Sequence, residues 1–219
     1  MTDFSSKIFE NIAQPGRLAW LVFRSIARFW AAIFLPYFRV WGETEFKPGS
    51  IIVARNFGLQ TWIYCLRFFR RPVRIVLVDD SDKLKWFKIA EDGGLEPVCL
   101  RGSVLRKIDA IQELSDNGEI VFLIIPSGFG GYTPTFVGEL EKRLNDRLRL
   151  FAIQGAMEAM PPDTIVPKFA SICIFCGRPF YNRLPDEGLL DELSFLESTL
   201  YDLDIDEEPS FFRNNIRNQ

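Results

Sequence analysis

The chain has 219 residues, 47% of them hydrophobic, 25% charged and none histidine, with a net charge of −3. That length and apolar content suit a globular domain with a sizeable core, and the near-neutral charge argues against a nucleic-acid binder. The missing imidazole excludes more: no Ser-His-Asp triad, Cys-His dyad or His-x-x-x-x-Asp pair can operate, and no histidine-ligated zinc site can form.

The first residues, MTDFSSKIFE, lack a basic region followed by an apolar run, so no signal peptide is read there. Pro15-Gly16 then opens a helical segment, Arg17 to Leu35, rich in Leu, Ile, Phe and Trp. Arg17, Arg24 and Arg28 share one narrow stripe of a 3.6-residue helix, with Trp20 and Trp30 among the aromatics. The longest uncharged run, Phe29 to Phe38, is too short for a span needing about 20 apolar residues. Residues 1–41 therefore read as an amphipathic helical arm lying in a membrane interface, Trp down and guanidinium groups at the phosphates. A helix packed on the domain's own core or on another subunit is the alternative. The placement expected is cytoplasmic, peripherally attached to a membrane.

From Gly42 onward strands alternate with helices. Ile51–Arg55 is a short apolar strand, Leu59–Arg71 a helix stopped by Pro72, and Val73–Val78 a β-branched strand. Arg67, Arg70, Arg71 and Arg74 cluster there, either complementing a helix C-terminus or meeting anionic headgroups. Asp79-Asp80-Ser81-Asp82 suits N-caps for a helix to Asp92, with Mg²⁺ ligation as the rival use. Glu96–Leu100 is a strand, Ser103 caps the next helix, and Glu119–Ile125 is an apolar run of the kind covered on both faces. A glycine-rich loop, Ser127–Gly131, precedes a charged helix over Glu139–Leu150. Strands near Thr164–Val166 and Ser171–Cys176 and a helix over Glu187–Leu203 complete the pattern. The fold class is α/β, a mixed, partly parallel sheet flanked by helices. Residues 42–203 form this domain and 204–219 an acidic and polar disordered tail. Cys65, Cys99, Cys173 and Cys176 lack the companions of a zinc site and read as buried thiols, so no metal is expected.

The blocks that matter chemically stand in a fixed order: Ile51-Ile-Val-Ala-Arg-Asn-Phe-Gly-Leu-Gln-Thr-Trp62, Gly94-Leu-Glu-Pro-Val-Cys-Leu-Arg-Gly102, Gly118-Glu-Ile-Val-Phe-Leu-Ile-Ile-Pro-Ser-Gly128 and Ile165-Val-Pro167. In order and spacing they resemble the glycerolipid acyltransferase family, the lysophosphatidic acid acyltransferases and their relatives, over about residues 42–203. The resemblance implies an acyltransferase-like α/β fold with a membrane-binding arm, acting on phospholipid or lysophospholipid. It implies no bound cofactor; acyl-CoA or acyl carrier protein would be the donor in an active member.

The chemistry departs from the family. Its first block pairs His with Asp across four intervening residues, the imidazole taking the proton of the acceptor hydroxyl. Those positions read Asn56 and Thr61. The family's Phe-Pro-Glu-Gly-Thr-Arg block reads Ile125-Pro126-Ser127-Gly128-Phe129-Gly130, without its Glu and Arg. Arg101 keeps the second-block arginine, and with Ser127 and Gly128 makes up the expected phosphate and substrate contacts. Arg101 as a surface salt-bridge partner, and the glycine loop as a plain turn, are the blander alternatives. The expectation is a degenerate, lipid-binding relative of the family. A divergent working acyltransferase and an interaction subunit, docking through its arm on an active homologue or an acyl carrier protein, are the rivals.

Overall fold

A computed structural model describes residues 16–35, 37–55, 59–78, 85–126, 133–159, 168, 171–178 and 188–199. The chain runs α1 (Arg17–Phe34), β1 (Tyr37–Gly42), β2 (Ile51–Arg55), α2 (Leu59–Phe68), β3 (Arg74–Leu77), α3 (Lys85–Asp92) and β4 (Val98–Cys99). It continues through α4 (Val104–Asp116), β5 (Val121–Ile125), α5 (Thr133–Leu144), β6 (Leu148–Gln154), the single turn α6 (Ala156–Ala159), β7 (Ser171–Gly177) and α7 (Leu189–Thr199). Among the described residues the strands form one sheet in the order β1-β7-β6-β2-β5-β3-β4. Strands β2 to β6 run parallel, β7 is antiparallel to β6, and β1 pairs parallel to β7.

The central strands β2 and β5 are buried throughout because helices cover both faces of the sheet. Ile52, Ala54, Phe122 and Phe151 pack beneath α1 and α2, while Ile51, Val53, Leu123 and Leu150 face α4, α5 and α7. Under α2, Phe68, Phe69, Phe122 and Phe151 meet edge to face with centroids 4.8 to 5.5 Å apart. That geometry places positive ring edges against negative ring faces. Some of the chain's 21 phenylalanines are thus core.

Several expectations shift. The helix expected over Glu139–Leu150 ends at Leu144, and Leu148 starts strand β6. Arg149, which disguises that strand as an amphipathic helix, is buried and donates from Nε to Glu43 at 2.9 Å. Tyr37 to Trp41, counted with the arm, belong to strand β1, which pairs with β7 in the sheet. The helix after Thr61 stops at Phe68, short of Arg71. Arg74 leaves the surface cluster: it is buried in β3 and donates from Nε to Glu119 at 2.8 Å. Ser103 occupies the N-cap of α4 but makes no side-chain capping bond. Asp79 to Asp82, Thr164–Val166 and the tail lie outside the described residues.

Candidate functional site at the sheet's carboxyl edge

β2 and β5 are neighbours whose connections leave on opposite faces: α2 departs toward β3 on one face, α5 toward β6 on the other. Diverging connections open a crevice beyond the carboxyl ends of such strands, the usual ligand position in open α/β sheets. Residues 56 to 58 follow β2 at this point and 127 to 132 follow β5. Asn56, Ser127 and Gly128, expected at the site, lie outside the described residues.

Thr61, on the first turn of α2, is fully buried, and its Oγ1 donates to the backbone carbonyl of Arg55 at 3.0 Å. At the position that resembles the family's aspartate, a hydroxyl therefore closes the β2–α2 turn. Arg101 is exposed just beyond β4. It sits three strands from β2, roughly 14 Å at normal strand spacing. Cys65, a turn beyond Thr61, is buried, and burial pushes its thiol well above the ordinary range, which makes it inert rather than nucleophilic.

Two buried charges at this edge escaped the sequence reading. Arg55, the last residue of β2, turns toward α7, donating from Nη2 to the Leu190 carbonyl at 3.3 Å and to Ser194 Oγ. Its Nε lies 3.2 Å from Glu197 Oε2. Lys107 of α4 is also buried and donates to the Val78 carbonyl at 2.9 Å, closing the end of β3. A signal for the first existed: Glu197 follows Leu193 by one turn, on the inward side of α7. Arg55 thus meets Thr61 through its backbone carbonyl, while its guanidinium turns to Ser194 and Glu197 of α7.

Burial raises the Glu197 carboxyl to about 7, with Arg55 only partly opposing the shift. The native state therefore binds this proton more tightly than the unfolded chain. Its stabilising contribution is complete below about pH 4.5, falls as pH rises toward 7, and is lost above, by up to roughly 3 kcal/mol. Without histidine, few other side chains titrate in that window. Glu197→Gln is expected to match the parent near about pH 5 and to be the more stable protein near about pH 8, read from denaturant unfolding. Parallel stability profiles for the two proteins would refute the shift.

The arm presents a different surface from the one expected. Trp20 is 1% exposed and Trp30 half-buried against Phe34, at 5.4 Å between rings, so neither is a free interfacial anchor. Ala27 and Ala31, one turn apart and both buried, let α1 approach closely and draw that face inward. The outward face is apolar instead: Leu18, Val22, Ile26, Phe29 and Ile33 form a stripe along α1, with Leu18 75% and Phe29 71% exposed. Arg17 and Arg28 are exposed and Arg24 half-buried along one border of this stripe. A continuous apolar face of this kind marks a binding surface. No helix among the described residues is long and apolar enough to cross a membrane.

No protein-family profile matches the chain, and no curated protein matches it in sequence. Among solved structures it is similar to the crystal structure of the 1-acyl-sn-glycerophosphate (LPA) acyltransferase from Thermotoga maritima. The TM-score is 0.55 at 13% identity, with 89% of this chain and 86% of that chain covered. The architecture is thus acyltransferase-like: a mostly parallel seven-stranded sheet flanked by helices.

Proposed function

We propose that this chain is a peripheral membrane protein of phospholipid metabolism that uses an acyltransferase-like fold to bind a lysophospholipid or an acyl chain without turning it over. The observation that carries the reading is the chemistry at the crevice between β2 and β5. An acyltransferase needs a group there to take the acceptor's proton, and the chain contains no imidazole. Asn56 has no useful basicity, and the Thr61 hydroxyl is engaged with the Arg55 carbonyl. A general base supplies roughly 10²–10⁴ in rate. Its loss, together with the Glu and Arg of the third block, removes both proton transfer and much of the phosphate clamp. The apolar outer face of α1, bordered by arginines, supports residence at a membrane surface.

A divergent working acyltransferase is the second reading, and one observation favours it. Glu197 lies at the same edge of the sheet with a proton affinity suited to neutral pH. Native purification with mass spectrometry of bound lipid, and an acyl-transfer assay with lysophosphatidic acid and acyl-CoA or acyl carrier protein, separate the two. A lysophospholipid or fatty acid is expected to co-purify, with no diacylated product in the assay. Product formation abolished by Glu197→Gln or Arg101→Ala establishes the second reading. Absence of any bound lipid removes the first.

A further inference from the structure

Arg24 and Arg28 of α1 meet Arg67 and Arg70 at the end of α2 around a cavity of about 330 Å³, walled by Phe38 and rimmed by Glu45. The Arg67 guanidinium stands 4.2 Å above the Phe38 ring centroid. Among the described residues none of the four arginines has an ion-pair partner, and the Nε atoms of Arg24 and Arg67 are buried without an acceptor. Burial, then Arg28 and Arg70, disfavour the charged form of Arg24; burial, then Arg28, do the same to Arg67. Another cavity, of about 620 Å³, also contains arginines, but there Arg147 pairs with Asp116 and Arg149 with Glu43. The contrast matters. Four like charges facing one concavity repel each other until an anion enters, and guanidinium forks match phosphate oxygens two at a time.

The cavity is not the crevice described above. The start of α2 carries Thr61 at the carboxyl edge of the sheet, and its far end carries Arg67 back toward the amino edge. One wall of the cavity is α1, whose next face is the exposed apolar stripe. We infer that this cavity is a second lipid site, holding the phosphate of an anionic phospholipid headgroup while the acyl chains lie against the outer face of α1. The inference rests on the membrane-surface part of the proposed function and not on what the β2–β5 crevice holds.

Vesicle flotation tests it with two compositions: phosphatidylcholine alone, and phosphatidylcholine doped with phosphatidic acid. The wild-type chain is expected to prefer the doped vesicles. Arg67→Gln/Arg70→Gln should reduce that preference roughly thirtyfold. Glu45→Gln, which removes the rim carboxylate from an exposed position and so spares the fold, should increase it. Arg106→Gln/Lys142→Gln removes equal charge from exposed positions elsewhere on the domain and should leave the preference unchanged. The inference is overturned if this control loses as much as the pocket variant, if both pocket variants bind as the wild type does, or if inorganic phosphate competes as tightly as the lipid. Equal binding of the wild type to both compositions removes the headgroup site alone. Binding to neither removes the membrane reading with it.

Discussion

Replacing Ile26 and Phe29 together by aspartate is expected to lower the affinity for phospholipid vesicles by about three orders of magnitude while moving the melting temperature by only a few degrees. Both side chains are exposed on the outer face of α1 and contribute little to the domain's own core. Burying a large apolar side chain is worth about 1.5–3 kcal/mol, and two such losses give the stated factor. Aspartate also brings negative charge toward anionic headgroups. The matched comparison is Trp20→Ala, on the opposite side of the same helix. That substitution empties a buried site and should cost about 3–5 kcal/mol of stability. Vesicle binding unchanged by the double aspartate substitution would sink the interfacial reading of the arm. If the wild-type chain floats with no vesicle and instead co-elutes with a protein through α1, the interaction-subunit alternative takes its place.

Gly42→Ala is expected to cost about 3 kcal/mol or more and to lower the melting temperature by roughly 6–12 °C. Gly42 closes β1 at a φ of +88°, in the left-handed region that side chains rarely enter. A Cβ there would stand 2.1 Å from the carbonyl oxygen of Cys176, a backbone atom of the partner strand β7. The next amide, Glu43, donates to that same carbonyl at 2.7 Å, so the clash cannot be relieved without loosening the end of the β1–β7 ladder. Since β1 joins the arm to the sheet, α1 should become more labile with it, visible as faster amide exchange in α1 than in β5. Gly138→Ala is the control. It lies within α5 with nothing within 4 Å of the added methyl, and should raise stability by roughly 0.5–1 kcal/mol. Equal melting temperatures for Gly42→Ala and the parent would contradict the ladder as drawn.

Much of the architecture was legible because its signals are local. Ile51–Arg55 and Ile75 to Leu77 are short, buried and β-branched, and the run from Val121 to Ile125 is apolar on both faces. Pro72, Gly93-Gly94 and Asn117-Gly118 bracket the segments where a chain must stop or turn. The misses share a cause. β6 hides behind Arg147 and Arg149, because charged residues between leucines mimic a solvated helix until their partners Asp116 and Glu43 are known. β1 hides because Arg39 and Trp41 lie in a run continuous with an aromatic helix, and its strand identity comes entirely from pairing with β7. At the candidate site, the resemblance that sets Asn56 and Thr61 against a His and an Asp is read from sequence alone. The Arg55–Glu197 pair is not, because its members are 142 positions apart (197 less 55) and meet only through β2 and α7.

By itself the sequence determined that these 219 residues supply no imidazole, since a residue type missing from them is missing from every fold they could adopt. It also determined the alternation of strands and helices, which follows from local periodicity and stop signals. Only the tertiary structure decided which side of α1 is buried. A helix apolar around most of its circumference has no preferred inward face until a neighbour fits one, and Ala27 and Ala31 supply the close fit. It alone set Arg24 and Arg28 against Arg67 and Arg70, because charges from two helices share one cavity only after the sheet has fixed where each helix lies.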